Sequence, residues 1–187
     1  MNIILFGPPG AGKGTQAKFL VNILNNFQVS TGDMLRDEIK RDSEIGKKII
    51  SFMNDGKFVD DEIVNSIMRK VVFDSSKKGK LIFDGYPRTI EQAKNLDLLL
   101  SESNQEINFI FFLNVTKETI IKRIEKRKVE EKREDDDLDT ILKRYDTYLK
   151  TTSPVLDYYS SKKNFYTLDG NLKIDQINEQ IKGFLKL

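Results

Sequence analysis

Between the apolar run Ile3-Ile4-Leu5-Phe6 and a helix-like stretch stands Gly7-Pro8-Pro9-Gly10-Ala11-Gly12-Lys13-Gly14-Thr15. Few segments constrain a chain as strongly. Glycines let the backbone curl around an anion with successive N–H groups turned inward, the following helix aims its positive end at the same point, and Lys13 adds a full charge. The spacing Gly7-x4-Gly12-Lys13 matches the Walker A pattern in its required setting, strand before and helix after. Gly10, Ala11, Gly12, Lys13, Gly14 and Thr15 are therefore candidate phosphate contacts. One departure stands out: Gly14 follows Lys13, and Thr15 comes one residue later than the magnesium-binding Ser or Thr of many such loops. Direct metal ligation from this loop is not expected.

With 187 residues, 39% hydrophobic and 32% charged, the chain is long enough to bury a core, and a single domain with insertions is expected. Formal net charge is only +2 although Lys and Arg number 31, so nucleic acid is not expected as a partner and the cations are read as locally purposeful. Cys and His are both absent, which removes disulfides and the common zinc ligands. No apolar run approaches the roughly 20 residues of a membrane span, and Met1 is followed at once by a core-type strand. A cytoplasmic location, no membrane partner and a monomer are the expectations.

Short β-type runs at residues 3–6, 27–29, 81–83, 109–113 and 165–168 alternate with longer helical patterns. That alternation predicts an α/β fold with a parallel five-stranded sheet. The runs are apolar nearly throughout, as expected when helices cover both faces. Ile174, Ile177, Ile181, Phe184 and Leu185 repeat at helical spacing, as do Leu138, Ile141, Leu142, Tyr145 and Leu149, and both stripes read as core. A long helical stretch over 33–73, broken near Asp42-Ser43 and Asn54-Asp55-Gly56, reads as an inserted substrate lobe. The charge run over 126–137 lacks apolar periodicity and reads as a solvated connection between helices.

Three further constellations fall where strands end, the place where open α/β sheets bind ligands. Ser30-Thr31-Gly32-Asp33-Met34-Leu35-Arg36 offers a hydroxyl and an arginine at a helix start, with Thr31 or Asp33 as a plain N-cap the competing reading. Asp84-Gly85-Tyr86-Pro87-Arg88 sets an acid at a strand end and a guanidinium after the turn. Asp84 has the placement of a Walker B acid, able to hold magnesium directly or through water, and Arg88 can grip phosphate oxygens bidentately or serve only as a surface ion pair. Arg123 and Arg127 stand four residues apart on one helix, with Arg133 and Arg144 flanking the acidic run, and these four are open to a purely solvated reading as well.

Taken together, the segments 7–15, 30–36 and 84–89 and the paired arginines resemble the adenylate kinases in order and spacing, over nearly the whole chain. The resemblance implies a sheet of the P-loop NTPase type flanked by helices, an NMP-binding lobe over 30–59, a short lid over 127–133, and the reaction ATP + AMP = 2 ADP with Mg2+ bound alongside ATP. It implies that Lys13 and the loop amides hold ATP phosphates, and that Arg36 and Arg88 hold the AMP phosphate. Thr31, Gly32, Gly85 and Gln92 would contact or orient AMP, with backbone around Lys57, Phe58 and Val59 lining that pocket. Arg123, Arg127, Arg133 and Arg144 would surround the migrating phosphoryl group, Arg123 toward ATP and Arg144 bridging both substrates. Gly170 matches a backbone position near the ATP adenine, and Asp84 the acid that holds the metal through water.

Only Lys128-Val129-Glu130-Glu131-Lys132 separate Arg127 from Arg133, where long-lid members insert a few tens of residues, often with cysteine zinc ligands. A short lid without zinc follows. The short form also resembles the UMP/CMP kinases, but Thr31 and Gln92 together favour AMP, since a hydroxyl and a carboxamide can satisfy the adenine edge. A P-loop switch or binding module is the remaining alternative, and no Asn-Lys-x-Asp guanine-reading motif supports it.

Overall fold

A computed structural model of the chain describes residues 1–41, 44–54, 59–131 and 138–187. The strands β1 (Asn2–Phe6), β2 (Phe27–Ser30), β3 (Leu81–Asp84), β4 (Ile107–Asn114) and β5 (Phe165–Asp169) form one sheet in the order β2-β3-β1-β4-β5. Every pairing is parallel. Alternate residues of one strand serve opposite layers. Ile4 and Phe6 join Phe83 and Val29 against one set of helices, while Ile3 and Leu5 join Ile82 and Phe111 against the other. This is why the central strands read as continuous apolar runs: both of their faces are covered, while the edge strands β2 and β5 are partly exposed.

The helices are α1 (Lys13–Leu24), α2 (Thr31–Lys40), α3 (Glu44–Asn54), α4 (Asp61–Val72), α5 (Ile90–Glu102), α6 (Lys117–Glu131), α7 (Leu138–Thr147), α8 (Ser153–Ser160) and α9 (Ile174–Leu185). Residues of α4, α5 and α8 fill the first layer, and residues of α1, α6 and α9 the second. Between α7 and α8 the chain widens into a π-type helix over Tyr148–Thr152. The order of strands reverses direction at β1, so the crevice outside the carboxyl ends of β1 and β3 is the switch point where such sheets bind ligands.

Three expectations change. The helix at 31–40 is capped by Ser30, whose Oγ accepts from Asp33 N at 3.3 Å, so neither Thr31 nor Asp33 is the cap. The charge run is not a bare connection, because α6 continues through Glu131 and takes up its first half; 132–137 lie outside the described residues. The two apolar stripes are core only in part. Ile177, Ile181 and Leu185 are buried, but Ile174 is 54% exposed and Phe184 39%. Phe184 instead lays its ring on Tyr166, with centroids 4.3 Å apart. Ile141 of α7 is buried, whereas Leu149, in the π-type helix that follows, is exposed and its neighbour Tyr148 is buried.

Candidate active site

The first turn of α1 begins without a side-chain cap. Its N-cap is Gly12 at φ 95°, with no side-chain cap hydrogen bond, whereas α2, α4 and α5 are capped by Ser30, Asp60 and Thr89. Uncapped N–H groups at a helix start are an anion site in the making. Gly10, at φ 80°, lies so close to α6 that a Cβ would stand 2.9 Å from Ile124, so the loop is pressed between strand and helix with no room for a side chain there. Ala11 is buried and Thr15 is exposed on the first turn. Lys13 Nζ donates to Gly7 O at 2.7 Å and Pro8 O at 3.0 Å, which carries the ammonium back across the mouth of its own loop.

Asp84, the last residue of β3, sits beside that loop: its Oδ2 is 3.6 Å from where a Cβ on Gly14 would be. The same oxygen accepts from Gln28 Nε2 on β2 at 3.0 Å. The missing side chain at position 14 therefore leaves space between carboxylate and cradle. One carboxylate facing a phosphate site suits Mg2+, which keeps most of its waters and takes one or two protein oxygens. Among the described residues no group of three or more His, Cys, Asp or Glu could hold a metal ion by itself.

After β3 the chain turns through Gly85 at φ 78° and a cis Tyr86-Pro87 peptide. Gly85 is required there, because a Cβ would lie 2.9 Å from Arg88 Nη2 and 3.0 Å from Thr31 Oγ1. Its carbonyl gathers two of the predicted residues: Thr31 Oγ1 donates to it at 2.8 Å and Arg88 Nε at 2.8 Å. Arg88 N–H donates to Gln92 Oε1 at 2.7 Å, and the Arg88 carbonyl accepts from Thr152 Oγ1 at 3.0 Å. Burial first, and then the charges of Arg144 and Arg36, pull the Arg88 guanidinium down to about 10, against the opposing pull of Asp84. Arg36 reaches it from α2, where its guanidinium lies over Gly32 and pairs with Asp33 Oδ1. Residues from three separate stretches thus act on one guanidinium, while Gln92 and Thr152 hold its backbone.

Arg123 of α6 donates to Ala11 O at 3.1 Å and Leu172 O at 3.4 Å, which lays it along the outer side of the phosphate loop. Burial lowers its pKa. Gly170 N–H bonds Asn114 O at 2.8 Å next to it, at the end of β5. Val59 is buried in the layer that holds α4. Lys57, Phe58 and Arg133 lie outside the described residues, and Arg127 is described only as part of α6. Sequence reasoning passed over Gln28, Asp61 and Thr152. Asp61 accepts from Thr89 Oγ1 at 2.8 Å and from Gln92 Nε2 at 2.6 Å. Only Gln28 had a visible signal, an amide between the apolar Phe27 and Val29 and two residues from the ligand end of its strand.

The adenylate kinase family model matches residues 5–164. The adenylate kinase of Pelagibacter ubique is 45% identical over an alignment of 213 positions that covers all of both chains, and that of Mycoplasma capricolum subsp. capricolum 42% over 215, again covering both completely. A Caulobacter adenylate kinase is 40% identical over 187 positions, covering all of this chain and 99% of the relative. The first two alignments are longer than this chain's 187 residues, so those relatives carry segments that it lacks. With the family match spanning most of the chain and the alignments all of it, this protein belongs to the adenylate kinase family.

Proposed function

We propose that the loops after β1 and β3, together with α2, α6 and α7, carry the phosphoryl exchange ATP + AMP = 2 ADP that family membership gives this chain. Such a transfer asks for position and charge, not for a nucleophile or a strong base. The observation that carries the arrangement is the convergence on Arg88: its Nε and the Thr31 hydroxyl meet at the Gly85 carbonyl, and its pKa is lowered first by burial and then by Arg144 and Arg36 against the opposing pull of Asp84, so three cations and an acid lie close together. Crowded guanidiniums repel one another until a polyanion arrives, and an anion whose charge spreads during transfer is held better than one at rest.

In this reading the uncapped N–H groups of α1 and the backbone of 10–15 hold ATP phosphates, with Lys13 exchanging Gly7 O and Pro8 O for phosphate oxygens. Arg123 and Gly170 flank ATP, and Arg127 and Arg133 complete the ring of cations. Arg88 and Arg36 take the AMP phosphate, and Arg144 reaches both substrates. Thr31, Gly85 and Gln92 orient the nucleoside, with Gly32 and residues 57–59 around it. Asp84 would hold Mg2+ through water, with Gln28 keeping the carboxylate in place through Oδ2. The bound ion supplies charge neutralisation between the phosphates. The lobe spans 30–59 and the short lid 127–133; the segments that longer relatives carry in addition accord with a short lid. No helix among the described residues is long and apolar enough to cross a membrane.

The test is a panel of AMP, CMP and UMP as acceptors in a coupled assay of ADP formation. Turnover that requires AMP is expected, and Thr31→Ala should relax the preference by about 1–3 kcal/mol, the scale of a polar recognition group. Equal use of CMP by the wild-type protein would overturn the assignment of the base-reading residues.

A further inference from the structure

We propose that Asp61, the first residue of α4, is a specificity-determining residue: it fixes which way round the Gln92 carboxamide lies and so commits the acceptor site to bases that carry an amino group beside a ring nitrogen acceptor. The inference rests on the reading above that Gln92 meets the acceptor base.

Gln92 is 2% exposed, and both ends of its amide are held. Nε2 donates to Asp61 Oδ1 at 2.6 Å, and Oε1 accepts from Arg88 N–H at 2.7 Å. Neither partner can reverse its sense, since a carboxylate only accepts and a backbone N–H only donates. A flip of the amide would set Oε1 against the Asp61 carboxylate and Nε2 against the Arg88 N–H, replacing two part-buried hydrogen bonds by two repulsions. Asp61 cannot turn away either. Its Oδ2 accepts from Thr89 Oγ1 at 2.8 Å, and that hydroxyl accepts in turn from Gln92 N at 3.1 Å as the cap of α5.

Beyond these bonds the amide keeps one proton on Nε2 and one lone pair on Oε1. Adenine offers the complement, with N1 as acceptor beside the N6 amino donor. Hypoxanthine offers the reverse, an N1–H donor beside an O6 acceptor, and fits only a flipped amide. A glutamine free to turn would read both. With Asp61 in place it reads one.

The lock belongs to the side of the site that stays fixed. From α4, Asn65 Oδ1 accepts from Tyr86 OH at 2.9 Å and Arg69 pairs with Glu102 of α5 at 3.2 Å, so α4 is fastened to the β3 turn and to α5. Across from it, Thr31, Met34 and Leu35 of α2 face Val64, Ile67 and Met68 in a narrow apolar seam. A base entering there parts α2 from α4 and leaves Asp61, Gln92 and the Arg88 N–H together.

The experiment compares kcat/KM for AMP and for IMP, with Mg-ATP as donor, in the wild-type protein, Asp61→Asn and Gln92→Leu. Equilibrium titration of AMP and IMP without ATP gives the same ratio free of turnover. Asn at 61 keeps the shape but can face either way, which lifts one of the two repulsions a flipped amide would meet while the Arg88 N–H still opposes the flip, so the AMP-to-IMP ratio is expected to fall about threefold or more, chiefly through a gain with IMP. A loss of stability alone would lower both acceptors equally and leave the ratio where it was. An unchanged ratio in Asp61→Asn, while Gln92→Leu abolishes the preference for AMP, overturns the lock and leaves the base reading standing. An unchanged ratio in Gln92→Leu overturns the base reading and the lock with it. Should thermal unfolding find Asp61→Asn unfolded, Asp61→Ala, which removes the acceptor outright, is read by the same ratio and the same outcomes.

Discussion

At the amino ends of β1 and β3 the polar groups are amides that bond one another, whereas at the carboxyl ends they are charged side chains held against loop carbonyls. Asn2 is 1% exposed, donates to Glu106 O at 3.1 Å and Gln105 Oε1 at 3.3 Å, and accepts from Leu81 N at 3.0 Å. Gln105 in turn donates to Val72 O at 3.0 Å and accepts from Gly79 N at 2.7 Å. These groups are neutral amides, and the network asks for no ligand. The other end is charged. Lys13, Arg88 and Arg123 spend donors on loop carbonyls, and Arg88 is pulled down to about 10 by burial and by its cationic neighbours. An amide lattice adds stability and nothing else, while a crowd of cations costs stability that a bound polyanion returns. The two ends of one sheet therefore divide folding from function.

Lys13→Ala should break the division most visibly. Removing a preorganised charge at the transferring phosphate is expected to lower kcat by about 10²–10³, with the thermal midpoint almost unmoved. Steady-state turnover and a melting curve on the same sample decide it, and near-normal turnover would remove the loop from the chemistry. Next comes Arg88→Ala, for which kcat/KM for AMP should drop roughly a hundredfold, the scale of about 3 kcal/mol for a desolvated charge contact. Arg88→Lys should recover little, because an ammonium does not copy a bidentate fork.

Asn2→Ala probes the opposite end and should do the reverse. Leaving Leu81 N–H and its neighbours without their amide is expected to cost about 1–3 kcal/mol in denaturant unfolding, with kcat preserved. A fall in kcat at 25 °C without a loss of stability would show that the two ends are coupled. The smallest effect belongs to Gln28→Leu, which frees Asp84 Oδ2 and should raise the Mg2+ concentration for half-activity by about tenfold, the lower range for a residue that orients a metal-binding group. Binding of Mn2+ to the complex with both nucleotides, followed by electron paramagnetic resonance, should weaken in parallel; unchanged Mn2+ affinity assigns Gln28 to the sheet edge alone.

Much of this was legible in the chain. All five strand runs are found within two residues of their expected ends, and in the central strands burial on both faces writes an unbroken apolar run into the sequence. The cradle was legible for a similar reason: strand, glycine loop, lysine and helix are contiguous, so spacing alone describes them. Ser30, not Thr31, caps α2, a shift of one residue that frees the Thr31 hydroxyl for Gly85. Adjacent hydroxyls look alike in a sequence, and the backbone angle that distinguishes them comes from where β2 ends. The π-type helix at Tyr148–Thr152 left no local mark either; it accompanies the bond from Thr152 to the Arg88 carbonyl, a contact made across the fold.

The sequence by itself determined what is local: which runs are strands, where the anion loop lies, and that zinc chemistry through Cys or His has no ligands. It also determined the family, because motifs keep their order and spacing along a chain. Tertiary structure alone decided that Arg36, Arg88, Arg144 and Asp84 act on one another, that Gln28 braces Asp84, and that Asp61 holds Gln92. Each of those relations joins residues from different elements, and their distances exist only once the sheet has brought the elements together. Electrostatic and hydrogen-bond energies fall off over a few ångströms in space, with no regard for separation along the chain.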